Sequence, residues 1–188
     1  MRKISVFNFM TLDGYYKGPN EDISWHKQGV GEEEQALAAE GSKTESVLLF
    51  GRVTFKMMES YWPTPMAMQQ SKEVAEGMNA SEKIVFSRTL KSTNWKNTRI
   101  VKDNMIEEVR KMKKQSGKDM TILGSGTIIT QLADEGLIDS YQFLVDPVVL
   151  GEGTPIFKGI EHRPELKLTD SKSFKSGALL LTYQQKKK

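Results

Sequence analysis

Short apolar runs bounded by turn residues alternate along this chain with stretches of helical period. Val47-Leu48-Leu49-Phe50 and Ile84-Val85-Phe86 are unbroken apolar runs, as strands covered on both faces require. Strands are predicted at Ile4 to Phe9, Ser46 to Phe50, Lys83 to Ser87, Arg99 to Val101, Met120 to Leu123, Tyr141 to Val145, Leu166 to Phe174 and Ala178 to Gln184. The clearest helix is Asn104 to Gln115, where Met105, Val109 and Met112 fall at i, i+4 and i+7. Asp103 or Asn104 is placed to cap it, and Gly117 to close it. Further helices are expected from Thr127 to Asp134, after Gly51 with Phe55, Met58 and Glu59, and from the acid cluster Glu32-Glu33-Glu34, which suits a helix N-terminus. Ser176-Gly177 reads as the hairpin turn between the last two strands. The order implies an α/β protein, a mixed sheet with helices on both faces and an antiparallel edge. Pro63 to Ser81 is the least regular stretch and reads as a flap or irregular helix with Met66, Met68 and Met78 as an adaptable surface. With no repeat and no linker, residues 1–188 are expected to form one domain.

Composition narrows the function more than the fold. The chain has 38% hydrophobic and 27% charged residues and no cysteine, which removes disulfides, thiolate catalysis and cysteine-ligated metals. The net charge of +3 comes from 27 Lys and Arg against 24 Asp and Glu, and Lys186-Lys187-Lys188 supplies three of those positive charges. Nucleic acid is therefore not an expected partner. No apolar run approaches the roughly 20 residues needed to span a membrane, the first residues alternate like a strand, and the expected location is cytoplasmic. His26 and His162 are the two histidines; neither has a partner at metal-ligand spacing, so no metal is expected.

Candidate chemistry gathers at three strand ends. Leu123-Gly124-Ser125-Gly126-Thr127 lies between a strand and a helix, where free backbone N–H groups can hold an anion and glycines let a phosphate come close. Ile129 stands where a Rossmann fingerprint needs a third glycine, and no Gly-Lys-Ser/Thr follows. A tight turn without a ligand is the other reading. Gly51, Arg52 and Thr54 sit at a second strand-to-helix junction, and Ser87 and Arg88 at a third; guanidinium and hydroxyl donors suit phosphate oxygens. Open α/β sheets bind ligands at the carboxyl edge of their strands. Thr11 to Gly14, followed by an aromatic loop with Asp22 and Trp25, is a candidate wall for a planar ligand. Asp13 alternatively only stabilises its turn.

The succession Thr11-Leu12-Asp13-Gly14, Phe50-Gly51-Arg52-Val53-Thr54-Phe55, Ile84-Val85-Phe86-Ser87-Arg88, Ile122-Leu123-Gly124-Ser125-Gly126 and Leu137-Ile138-Asp139-Ser140-Tyr141 resembles the dihydrofolate reductase-like superfamily. The continuation from Val145 to Phe157, with Asp146-Pro147 and Gly151-Glu152-Gly153, is similar to the riboflavin-biosynthesis reductase branch (the RibD C-terminal domain) and its stand-alone bacterial relatives. The resemblance implies a three-layer α/β fold with a mixed, mostly parallel eight-stranded sheet and a C-terminal antiparallel hairpin. It implies an NADPH-dependent reductase acting on a small pterin-like or riboflavin-precursor-like heterocycle, such as 5-amino-6-(5-phosphoribosylamino)uracil. It also implies a homodimer. By the same resemblance, Arg52 and Thr54 face cofactor phosphates, Ser87 and Arg88 the adenosine ribose and its 2′-phosphate, Gly124, Ser125, Gly126 and Thr127 the pyrophosphate, Thr11 to Gly14 border the nicotinamide, and Gly51 is a further cofactor-binding residue. Asp13 and Trp25 border the substrate, and Asp13 or Asp22 is the candidate acid. A nucleotide-binding protein without turnover is the alternative.

Overall fold

The computed structural model describes residues 1–27 and 31–186. Its eight-stranded sheet has β1 (Ile4–Thr11) near the middle, flanked by β6 (Met120–Leu123) and β7 (Ser140–Asp146), both parallel to it. Beyond β6 lie β3 (Val47–Gly51), β4 (Lys83–Phe86) and β5 (Thr98–Val101), all parallel. Beyond β7 lie β10 (Leu179–Gln185), antiparallel, and β9 (Leu166–Ser173) at the edge. The three-layer, mostly parallel architecture with its C-terminal antiparallel hairpin is the one the resemblance implies.

Alternation along β1 explains the two layers. Ile4 and Val6 face one side with Val47, Leu49, Ile84 and Ile122, and pack against α6 (Met105–Lys114) and α7 (Gly126–Asp134) through Val109, Met112, Ile129 and Leu132. On the other side Leu48, Phe50 and Val85 meet Phe55 of α3 (Arg52–Tyr61) and Trp95. Further along that face Phe7 and Phe9 pack with Leu144, Leu180 and Leu37 of α2 (Glu32–Ser42). The N-cap of α6 is Asn104, which takes a left-handed conformation (φ 55°) and makes no side-chain capping bond. Left-handed backbone is open to asparagine at small cost.

Two regions differ from the sequence reading. Pro63 to Ser81 holds two regular helices, α4 (Pro65–Gln70) and α5 (Lys72–Ala80). Thr64 caps α4 by accepting the Ala67 amide at 3.2 Å, with Pro65 in the first turn. The buried faces are built from Ala67, Ala75 and Met78, and alanines leave a faint periodicity. Gly77 lets α5 approach α2, since a Cβ there would stand 2.6 Å from the Ser42 carbonyl. Met66 and Met68 are exposed and Met78 is buried, so the three do not share a surface. The second region is a small sheet of β2 (Tyr15–Lys17) and β8 (Thr154–Pro155) beside the carboxyl edge. Gly153 permits it, because a Cβ there would lie 2.4 Å from the Lys17 carbonyl. Ahead of α2, α1 (Ser24–Lys27) contributes one turn.

Candidate active site

Parallel pairing puts the turns after β3, β4 and β6 on one edge, and Ser125 ties two of them together. Its Oγ accepts the Gly51 amide at 3.0 Å and donates to the Leu123 carbonyl at 3.2 Å, while its own amide donates to Thr54 Oγ1 at 3.1 Å. Ser125 takes a left-handed conformation to do this (φ 60°), and so does Gly124 (φ 58°). The Thr54 methyl would stand 3.0 Å from any Cβ on Gly124. Ser125 gives α7 no side-chain cap, and among the described residues the amides of Gly126 and Thr127 have no hydrogen-bond partner. Such unclaimed N–H groups at a helix start favour an anion.

The other phosphate candidates differ in how free they are. Arg52 is exposed at the first position of α3 and makes no ion pair among the described residues. Arg88, 83% exposed, has Nε 3.3 Å from Asp103 Oδ1. Ser87 accepts the amides of Thr89 and Leu90 at 3.2 and 3.0 Å, which leaves its hydroxyl proton for another acceptor. All of these line one cleft of about 1960 Å³ that runs from Arg88 past Gly126 to α2. Pockets for one drug-sized ligand are ~300–1,000 Å³, so there is room for a dinucleotide and a second molecule. Asn8 lines the same cleft, and its buried Nδ2 has no partner among the described residues. An orphaned amide donor, unclaimed helix amides and two close-approach glycines together fit a ligand with a pyrophosphate and further polar groups.

The cleft wall beyond α7 is aromatic. The Tyr16 ring rests on Gly126, where a Cβ would lie 2.8 Å from it. Trp25 is buried with its Nε1 unpartnered among the described residues. His26 stacks on Phe9 with ring centres 3.5 Å apart, and its Nδ1 is 3.0 Å from Oδ2 of the buried Asp146.

The two carboxylates singled out from sequence do not line this cleft. Asp13 accepts Thr11 Oγ1 at 2.6 Å and the Gly151 amide at 2.8 Å, and also the Leu150 amide, so it clasps the β1 turn to the loop after β7. The Thr11 hydroxyl, chiefly, and the Gly151 amide hold its carboxyl below the ordinary value. Asp22 accepts the amide and hydroxyl of Ser24 at 2.9 and 3.1 Å, at the start of α1. Thr11 is buried beneath the Asp13 clasp. Sequence reasoning missed Asn8, His26 and Asp146. Asn8 breaks the inward series Ile4, Val6, and Asp146 ends the apolar run Phe143-Leu144-Val145; a polar group at a core position is the signal for each.

A mostly parallel sheet with a turn of unclaimed amides at its carboxyl edge and an aromatic-walled cleft beside it makes this an α/β protein of dihydrofolate reductase-like fold. The chain belongs to the RibD C-terminal domain family, whose model matches residues 2–180. It is 31% identical over 182 residues to the uncharacterized protein YyaP of Bacillus subtilis, covering 97% of this chain and 94% of that one. Three solved structures share the fold. A putative riboflavin biosynthesis protein from Shewanella sp. PV-4 matches with TM-score 0.75 at 19% identity over 98% of this chain and 99% of that one. A Thermotoga maritima diaminohydroxyphosphoribosylaminopyrimidine deaminase/5-amino-6-(5-phosphoribosylamino)uracil reductase matches at 0.69, 13% identical over 98% and 56%. Enterococcus faecalis dihydrofolate reductase, in complex with NADP(H) and RAB-propyl, matches at 0.64, 13% identical over 98% and 97%.

Proposed function

We propose that this chain is an NADPH-dependent reductase that delivers hydride to a small heterocycle, pterin-like or of the 5-amino-6-(5-phosphoribosylamino)uracil kind. The observation that carries the reading is the pair of unclaimed amides at Gly126 and Thr127, opening on the same cleft as the orphaned Asn8 amide. When bound, the cofactor supplies the hydride and the protein supplies position and electrostatics. The amides of Gly126 and Thr127 hold the pyrophosphate against the start of α7, and Gly124 and Ser125 shape the turn that presents them. Arg52 and Thr54 face the phosphates from α3, Ser87 and Arg88 approach from the turn after β4, and the two arginines share the 2′-phosphate. Gly51 and Thr11 shape the edge between them. Trp25, Phe9 and His26 wall the side left for a planar acceptor, and stacking there excludes water from the reacting carbon. Asp13 serves this arrangement through the loop it clasps. The family's fold and the reductase neighbours support the same class. A small-molecule substrate, a homodimer and a cytoplasmic location complete the proposed picture.

The test is NADPH binding by fluorescence, followed by loss of reduced-nicotinamide absorbance with dihydrofolate and 5-amino-6-(5-phosphoribosylamino)uracil as acceptors. Binding with turnover of either supports the reading. Tight binding without turnover across a wider heterocycle panel would favour a nucleotide sensor, and a monomer mass in light scattering would remove the dimer.

A further inference from the structure

The cleft is lined by a histidine, paired with a buried carboxylate behind it, that the phosphate cradle does not use. Asp146 ends β7 opposite Thr11 of β1, so the His26–Asp146 contact lies at the carboxyl ends of β1 and β7. His26 lines the cleft and Asp146 does not. A carboxylate oxygen accepts, which assigns the shared proton to Nδ1. Nδ1 is thereby committed to the interior, and Nε2, across the ring, has no hydrogen-bond partner among the described residues and is the nitrogen left for the cleft. The stack on Phe9, with 20° between the ring planes, fixes the plane of the imidazole. A ring fixed in plane and in proton position is what a proton donor requires.

Hydride addition to a C=N or C=O carbon leaves an electron pair on nitrogen or oxygen that needs a proton. Among the carboxylates near the cleft, Asp13 and Asp22 stand outside its lining. Of those in the lining, Glu21 pairs with Lys17, Glu73 with Lys43, Asp103 with Arg88 and Glu107 with Arg110. Glu34 is held by the Gly31 amide and the Ser176 hydroxyl, and Glu40 and Asp170 are exposed to solvent. We propose that His26 is the proton donor of the reduction and that Asp146 is its positioning residue; this rests on the reductase reading above. The acceptor carbon gains the hydride of a reduced nicotinamide, and the acceptor nitrogen or oxygen gains the proton from Nε2. The products are the two-electron-reduced acceptor, the oxidised nicotinamide and a neutral imidazole that takes its next proton from solvent. A histidine that merely pinned α1 to the sheet would share the Asp146 contact but would have no bearing on the chemical step.

The experiment uses the full chain with NADPH, taking 5-amino-6-(5-phosphoribosylamino)uracil and dihydrofolate as probes. Single-turnover rates and NADPH affinity are measured for the unmodified chain, His26→Gln and Asp146→Asn. Nitrogen NMR of the imidazole is read in a His162→Gln chain, which leaves one histidine. The expected result for His26→Gln is a rate about 100-fold lower, in the range of a lost general acid, with NADPH affinity within threefold of the unmodified chain. Asp146→Asn should lower the rate in the same direction with affinity likewise kept, and the Nε2 signal should move when a probe is added while Nδ1 stays protonated. A His26→Gln rate within threefold of the unmodified chain would overturn the proposal, as would rate and affinity falling together or an Nε2 signal indifferent to both probes. Failure of the reductase reading shows separately, as an unmodified chain that binds NADPH too weakly to measure or never oxidises it.

Discussion

The ammonium of Lys83 lies 4.6 Å from the centre of the Trp95 ring while donating to the carbonyls of Met78, Asn79 and Ser81 at 2.9, 3.3 and 2.6 Å. The residue is fully buried in β4. It closes the C-terminal end of α5, where unpaired carbonyls and the helix dipole favour a cation, and so fastens that helix to the sheet below the cleft. Lys83→Met keeps the stem and removes the charge, leaving three carbonyls short of a donor. A loss of about 2–4 kcal/mol is expected in urea unfolding, as for one partner removed from a buried charged network. Burial pulls this lysine down to about 8. Between there and its unfolded value of roughly 10.4 the unfolded chain binds a proton that the folded chain has released, so stability contributed by this site rises with pH. The gap in urea midpoint between the unmodified chain and Lys83→Met should widen from pH 8 to pH 10; a constant gap would refute it.

Gly124→Val tests the cradle. Its left-handed φ of 58° and the Thr54 methyl at 3.0 Å from a new Cβ both oppose the side chain. A fall in NADPH affinity of at least about tenfold is expected, equivalent to ~1.4 kcal/mol, with a folded circular dichroism spectrum. Unchanged affinity in a folded variant would make the turn purely structural.

Arg52→Ala and Arg88→Ala should each weaken NADPH binding more than NADH binding. The two cofactors differ by one 2′-phosphate, and a charge-assisted contact is worth ~1.5–3 kcal/mol, or about ten- to a hundredfold. Arg88 already shares its guanidinium with Asp103, so the smaller effect is expected there. Added salt should narrow the preference in the unmodified chain. Equal losses for both cofactors would place the arginines away from that phosphate.

The Asp13 clasp is sensitive to acid. Its carboxyl is held below the ordinary value, so its contribution is complete above the unfolded value of about 3.9 and is lost as pH falls through the lower, folded one. The Leu150 and Gly151 amide resonances should shift on acidification through that range, and Asp13→Asn should displace them at neutral pH. Amides that stay put in both experiments would mean the loop is held by other contacts.

Much of this was readable from the chain because its signals were local. The unbroken run Val47 to Phe50 and the glycine that ends it announced both a buried strand and the turn that follows. The helix at Met105–Lys114 declared itself by spacing. The strands at Tyr15–Lys17 and Thr154–Pro155 are too short to carry a period, and the alanine faces of α4 and α5 carry a weak one. The site was half legible for the same reason. Gly124 and Gly126 mark their turn within five residues, whereas His26 and Asp146 meet across 120 positions, and only the sheet order brings them together. Asp13 illustrates the opposite error: a carboxylate beside a glycine at a strand end suggests chemistry, but the amides of a distant loop occupy it.

The order of strands also bears on how the protein is made. Among the described residues the first strand, β1, pairs only with β6 and β7, so during synthesis it waits without a sheet neighbour until Met120 and beyond have left the ribosome. β3, β4 and β5 can pair with one another much earlier. The nascent chain therefore holds a three-strand fragment and a separate unpaired strand, and β6 is the piece that slides between them. Closing that seam requires a long loop and is slow compared with local pairing. Because Gly124 and Ser125 follow β6, the turn proposed to hold a nucleotide is completed only at that late insertion. The onset of NADPH binding by a translating chain is expected no earlier than the closing of that seam.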